Sequence, residues 1–293
     1  MSAAGAAPRQ SFLVGLIGAG IQRSLTPAMH QHEGAAQGCS YTYKLIDLQQ
    51  LGLTADALPQ LLDKAEREGF CGLNITHPCK QRVIPLLHEL SADARALGAV
   101  NTVLFRDGRR IGHNTDWSGF TAAFARGLAG AKLDRVVQLG AGGAGAAVAY
   151  AALKMGAAQL ALFDTDGGRA AALAASLAAL FGAGRVTAGD DLPAAMAKAD
   201  GLIHATPTGM AAYPGLPLPA GLLRPSHWVA EIVYFPLETA LLRAARDTGC
   251  RTLDGGGMAV FQAVDAFRLF TELEPDAARM LRDFNSLVGA GTA

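Results

Sequence analysis

Val136-Val-Gln-Leu-Gly-Ala-Gly-Gly-Ala-Gly145, running into an alanine-rich stretch over 144–155, decides how this chain folds. A short apolar strand, a glycine turn of the form GxGxxG and a helix follow in the order that a dinucleotide-binding βαβ unit requires. Gly140 permits the tight turn, Gly142 lets the backbone approach a pyrophosphate, and the helix start aims N–H groups at it. Ala141, Gly143 and Ala144 complete this candidate cofactor loop. Asp164 ends the next apolar strand, at the spacing of an acid that bonds the adenosine ribose hydroxyls. Its charge repels a ribose 2′-phosphate, and residues 165–168 (Thr-Asp-Gly-Gly) offer no cation to bind one, so NAD is favoured over NADP. Arg169 is the one residue placed to reverse that preference.

Downstream of the loop the alternation continues through Leu160–Asp164, a helix over 168–182, Gly201–His204, Val229–Val233 and a helix over 237–248. Upstream, from Phe12 to about Val103, short apolar runs also alternate with amphipathic ones, which predicts a parallel α/β sheet. Gly18-Ala-Gly20 follows a strand there too, but Arg23 stands where a third glycine belongs, so no second nucleotide site is required. Asp116 to about Ala129 reads as a helix. The triplet Gly255-Gly-Gly257 marks a turn, and two more helices follow, one bearing Gln262 and one around 275–287. The expected organisation is a two-domain α/β chain. Residues 1–116 with 255–293 form a substrate domain, and 117–254 a Rossmann-type NAD domain, with an active-site cleft between.

With 293 residues, 51% of them hydrophobic, the chain is long enough for two cores. Lysine and arginine balance aspartate and glutamate at 25 each, which provides no basic field for nucleic acid. Four scattered cysteines without a CxxC pair fit a reduced, cytoplasmic protein, and Cys79 reads as a structural thiol. Met1–Gln10 lacks the apolar core of a signal peptide and reads as a disordered lead-in, and no stretch reads as a membrane span. The seven histidines show no ligand-like spacing, so no metal is expected.

Two residues upstream of the glycine loop add chemistry to binding. Lys80 lies in Asn74-Ile-Thr-His-Pro-Cys-Lys80, and Asp116 in Gly112-His-Asn-Thr-Asp116. A lysine and a carboxylate on separate elements beside a nicotinamide domain point to proton transfer coupled to hydride transfer. Near the start of a Pro-initiated helix, the macrodipole biases Lys80 towards its neutral form, as a general base requires. Taken alone, Lys80 serves equally well as a solvated lysine and Asp116 as an N-cap. Ser24-Leu-Thr26-Pro27 opens a helix at which Thr26 has cap chemistry, and two hydroxyls at a positive helix end also make a carboxylate clamp.

Seven segments in order carry a resemblance: Ser24-Leu-Thr26-Pro27, Asn74 to Lys80, Gly98-Ala-Val-Asn101-Thr, Gly112 to Asp116, Gly140-Ala-Gly-Gly-Ala144, Ala205-Thr-Pro-Thr-Gly-Met210 and Met258-Ala-Val-Phe-Gln262-Ala. Together they resemble the shikimate dehydrogenase family from about residue 12 to 290, most nearly its NAD-dependent quinate/shikimate dehydrogenases. Thr26 replaces the second serine of the common biosynthetic pattern, and Phe163-Asp164-Thr-Asp166 replaces its Asn-Arg-Thr phosphate signature. The resemblance implies a substrate carboxylate on Ser24 and Thr26, with Tyr234 and Gln262 close to the ligand. It implies ring hydroxyls on Thr76, Asn101, Asp116 and Gln262, a catalytic pair Lys80 and Asp116, and Thr206, Val233 and Gly257 at the nicotinamide end. The implied reaction is reversible oxidation of shikimate or quinate to its 3-dehydro ketone. NADP-dependent biosynthetic shikimate dehydrogenation, aminoshikimate dehydrogenation and a non-catalytic NAD-binding regulator are the alternatives. A homodimer is expected only from the prevalence of two-fold assemblies.

Overall fold

The computed structural model describes residues 10–291; the expected lead-in, apart from Gln10, lies outside them. Two compact units divide the chain, one holding it up to Thr115 and again from Ala263, the other Asp116–Gln262.

The first unit contains β1 (Ser11–Gly18), α1 (Thr26–Ala36), β2 (Ser40–Asp47), α2 (Leu58–Arg67), β3 (Gly72–Ile75), α3 (Cys79–Arg82), β4 (Glu89–Leu90), α4 (Ala92–Leu97), β5 (Thr102–Arg106) and β6 (Arg109–His113). The second contains α5 (Asp116–Gly127), β7 (Arg135–Leu139), α6 (Gly143–Lys154), β8 (Gln159–Phe163), α7 (Gly167–Phe181), β9 (Val186–Ala188), α8 (Leu192–Met196), β10 (Gly201–His204), β11 (Trp228–Glu231), α9 (Ala240–Thr248) and β12 (Arg251–Leu253). Helix α10 (Gly256–Thr271) carries the chain from the second unit back to the first, where α11 (Ala277–Gly291) ends it.

The first sheet has the order β2-β1-β3-β5-β6-β4. β1 pairs in parallel with β2 and β3, but β5 runs antiparallel to β3, so this sheet is mixed rather than wholly parallel. β5 also pairs antiparallel with β6, through a two-residue hairpin loop at Asp107-Gly108 with φ angles of 50° and 69°. Along β1, Leu13 and Ile17 pack with Leu58, Leu62 and Leu73, while Val14 and Leu16 pack with Ala266 and Phe270 of α10. Burial on both faces explains why β1 is apolar without a break. Arg279 of α11 grips the buried Glu33 of α1 through two bonds of 2.7 and 3.0 Å, which ties the C-terminal segment into this unit.

The second sheet has the order β12-β11-β10-β7-β8-β9, and every pairing in it is parallel. From β7 the chain winds outward to β9, then returns to the other side of β7 and winds outward again through β10 to β12. That double winding makes this unit Rossmann-like and puts a topological switch point at the carboxyl ends of β7 and β10, where such sheets take their ligands. Among the described residues no helix is long and apolar enough to cross a membrane.

Candidate active site

The glycine turn sits at the switch point and is shaped by close backbone approaches. Gly140 has φ 99°, and a Cβ there would be driven into the Ala205 carbonyl. At Gly145 a Cβ would be driven into the Gly140 carbonyl, so α6 can start this close to β7 only without side chains. Gln138, buried in β7, clamps the turn by donating Nε2–H to the carbonyls of Gly140 and Gly145, both at 2.8 Å. By contrast, a Cβ at Gly142 or Gly143 would meet nothing within 4 Å. Gly142 is the N-cap of α6, and no side chain caps it. The first-turn N–H groups therefore face open space at the positive end of the helix, a cradle that fits a pyrophosphate.

Asp164 adjoins this cradle. Its Oδ2 accepts the Ala141 N–H at 2.8 Å and its Oδ1 the Asp166 N–H at 2.9 Å. Arg169 lies between two carboxylates, with Nη1 3.6 Å from Asp164 and Nη2 3.4 Å from Asp166. Burial works to raise the Asp164 carboxyl, but the two backbone N–H donors and the Arg169 guanidinium outweigh it and hold the group below the usual carboxylate range. The loop after β1 imitates this arrangement but is closed. Asp47, at the end of β2, accepts from the N–H groups of Gly20, Ile21 and Gln49 and from Gln22 Nε2, so its carboxylate is committed to the protein.

Thr206 and Val233 stand on the loops that leave β10 and β11, and the Thr206 methyl would lie 3.0 Å from a Cβ on Gly140. Tyr234 follows Val233 and is 42% exposed. Gly257, in the first turn of α10, faces Ala123 of α5. Gln262, the last residue of this unit, packs its backbone on Gly119.

In the first unit, Ser24 and Thr26 follow β1, while Thr76 and Lys80 follow β3. The Ala19 N–H donates to the His77 carbonyl at 2.9 Å, which holds these two loops together. Thr26 is the first helical residue of α1 rather than its cap; Leu25 occupies the cap position without a side-chain bond, and Ser24 Oγ lies 3.4 Å from the Thr26 N–H. Capping therefore does not consume the Thr26 hydroxyl. The Pro-initiated helix expected at Lys80 is only the single turn of α3, followed by a tighter turn at Ile84–Leu86, because Pro85 has no N–H to continue the ladder.

A buried polar chain runs from Tyr43 to Thr115 within the first unit. Tyr43 donates to Asn74 Oδ1 at 2.8 Å, Asn74 Nδ2 to Thr102 Oγ1 at 3.0 Å, and the Thr102 hydroxyl to Asn101 Oδ1 at 3.1 Å. Asn101 then binds Thr115 twice, accepting its N–H at 2.7 Å and donating to its hydroxyl at 2.9 Å. The Val100 N–H donates to the Lys80 carbonyl at 2.9 Å. Lys80 is thus pinned beside Asn101, and Asn101 fixes the residue that precedes Asp116. Cys79 is fully buried, and burial pushes its thiol up to about 11 against the opposing Arg82, which suits the structural role expected of it.

Three polar residues of the second unit escaped the sequence reading as site residues: Gln138, His204 and Glu231. Their signal was a polar residue at or near the carboxyl end of an otherwise apolar parallel strand, in Val136-Val-Gln-Leu139, Gly201-Leu-Ile-His204 and Trp228-Val-Ala-Glu231.

Comparison with known proteins follows the same outline. Residues 16–103 match the family model described as the shikimate dehydrogenase substrate binding domain. A shikimate dehydrogenase (NADP(+)) of Streptomyces avermitilis is 61% identical over 96% of this chain and 97% of its own. A quinate/shikimate dehydrogenase (NAD(+)) of Corynebacterium efficiens is 51% identical over 94% of this chain and 99% of its own. The solved quinate dehydrogenase from Corynebacterium glutamicum in complex with NAD superposes with a TM-score of 0.91 at 51% identity, covering 95% of this chain and all of that one.

Proposed function

Because the chain belongs to the shikimate dehydrogenase family, we propose that it is an NAD-dependent, cytoplasmic quinate/shikimate dehydrogenase that oxidises the ring carbinol reversibly to the 3-dehydro ketone. The observation that carries the cofactor half is the open cradle at Gly142–Gly143 with a carboxylate, not a cation, bonded beside it at Ala141. Gly140 to Ala144 receive the pyrophosphate, Asp164 the adenosine ribose, and Thr206, Val233 and Gly257 the nicotinamide end. Bound there, the nicotinamide supplies the hydride acceptor.

The chain's own residues do the rest. Ser24 and Thr26 hold the substrate carboxylate at the start of α1, with Tyr234 and Gln262 close to the ligand. Thr76, Asn101, Asp116 and Gln262 bond ring hydroxyls, which fixes the carbinol carbon. Lys80 Nζ takes the hydroxyl proton as the C–H bond yields its hydride, and Asp116 orients both the hydroxyl and the lysine. Initial rates for Lys80→Ala test this assignment. We expect kcat to fall by about 10²–10⁴-fold, the range of a lost general base, with a much smaller rise in the substrate KM. A variant within threefold of wild type would remove Lys80 from the chemistry.

A second reading, NADP dependence, has two observations in its favour. Arg169 is 54% exposed beside the ribose acid, and the relative at 61% identity is named for NADP. Against it, the cluster of Asp164, Asp166 and Arg169 sums to one net negative charge, two carboxylates against one guanidinium, where a 2′-phosphate would have to sit.

A further inference from the structure

Beneath the loops of Thr206 and Val233 lies a buried acid, imidazole and hydroxyl chain that the mechanism above does not use. His204 and Glu231 end β10 and β11, face each other in the register of that parallel pair, and have side chains with no solvent exposure. The Glu231 oxygens lie 2.8 and 2.9 Å from His204 Nδ1. Oε1 also accepts the Val233 N–H at 3.0 Å, and Oε2 the Thr239 hydroxyl at 3.1 Å. On the far side of the ring, His204 Nε2 is 2.5 Å from Thr206 Oγ1, which accepts the Thr208 N–H at 3.2 Å. Three donors converge on one carboxylate, which assigns the ring hydrogen to Nδ1 and turns Nε2 to Thr206.

Cohesion does not account for this pair, since a buried acid and imidazole hold a strand end no better than apolar residues of the same volume. Leu139 ends the neighbouring strand β7 without such a pair. What the bridge specifies is geometry. One end fixes the backbone of Val233 and the other the hydroxyl of Thr206. Those two loops are in turn seated by close approaches, the Thr206 loop at Gly140, where a Cβ would be driven into the Ala205 carbonyl, and the Val233 loop at Gly255, where it would be driven into the Ile232 carbonyl. A shift in either loop therefore moves the floor next to the glycine turn or next to the start of α10.

We infer that His204 and Glu231 are positioning residues for the nicotinamide half of the dinucleotide site, setting the spacing of Thr206 and Val233 without entering the adenosine half. The inference rests on the reading of those two residues as nicotinamide contacts. It is tested by binding. Dissociation constants are measured by calorimetry for ADP-ribose, which lacks the nicotinamide, and for whichever of NADH and NADPH wild type binds more tightly. The variants are Glu231→Gln and the double substitution His204→Phe with Glu231→Gln, which leaves no bare carboxylate in the core. The expected result is a loss of about tenfold or more in affinity for the reduced dinucleotide, with ADP-ribose within twofold, and a larger rise over wild type in the dinucleotide KM than in the acid-substrate KM. Equal losses for both ligands, or no loss for either, would overturn it. Should wild type turn over neither quinate nor shikimate, the proposed reaction fails, while the two binding constants still decide the role of the bridge.

Discussion

Under the proposed reading, cofactor choice turns on Asp164. Its carboxylate is held ionised by the Asp166 and Ala141 N–H groups and by Arg169, against the opposing effect of its burial. Asp164→Ala removes that charge and releases Arg169 from one of its two carboxylates, so the kcat/KM ratio for NADP over NAD should rise by about ten- to a hundredfold. An unchanged ratio would mean that another group reads the ribose. His30 governs a different property. It is fully buried among Tyr41, Tyr43, Phe267 and Phe270, and burial lowers its pKa from 6.5 to about 3, with Glu33 working the other way. The unfolded chain takes up a proton on His30 below about pH 6.5 and the folded one does not, so stability falls as pH drops through that window. The contribution is about 2 kcal/mol by pH 5. Urea unfolding of His30→Gln should show a shallower decline between pH 6.5 and 5 than wild type, and parallel declines would refute the assignment. The spacing of Asp164 from the glycine turn is local and could be read, but the packing around His30 brings α1 and β2 against α10, more than two hundred residues further along the chain.

Among the elements, the strand-turn-helix of β7 and α6 carries the most constraint. Gly145→Ala would push a methyl into the Gly140 carbonyl, a backbone atom that cannot yield. Overpacking of this kind costs about 1–3 kcal/mol, and here it should appear as a dinucleotide KM raised about tenfold with the acid KM little changed. A dinucleotide KM equal to that of wild type would show that the turn relaxes freely. This element was legible because strand, turn and helix are contiguous, from Arg135 to Lys154. The antiparallel turn in the first sheet was not, although Arg106-Asp107-Gly108-Arg109 carries a two-residue hairpin signal, because the alternation of apolar runs around it reads the same for parallel and antiparallel neighbours. The Pro-initiated helix at Lys80 is cut to one turn for a local reason, since Pro85 cannot continue its ladder.

At the scale of the whole molecule, one chain supplies a sheet with an open dinucleotide cradle at its switch point and a second sheet whose loops bear Ser24, Thr26, Thr76 and Lys80. The chain returns through α10 to cover the face of β1 that carries Val14 and Leu16, so the unit that holds β1 is completed by residues from Ala263 onward. Composition and alternation made the two-domain α/β plan legible, whereas the pairing order of the first sheet depends on contacts that no local pattern records. The most direct test of the account is the initial rate of dinucleotide reduction by the wild-type protein with shikimate and with quinate, each offered NAD and NADP in turn. The account predicts NADH formation with at least one of the two acids at a kcat/KM above that with NADP. Reduction of NADP alone, or of neither cofactor with either acid, would contradict it.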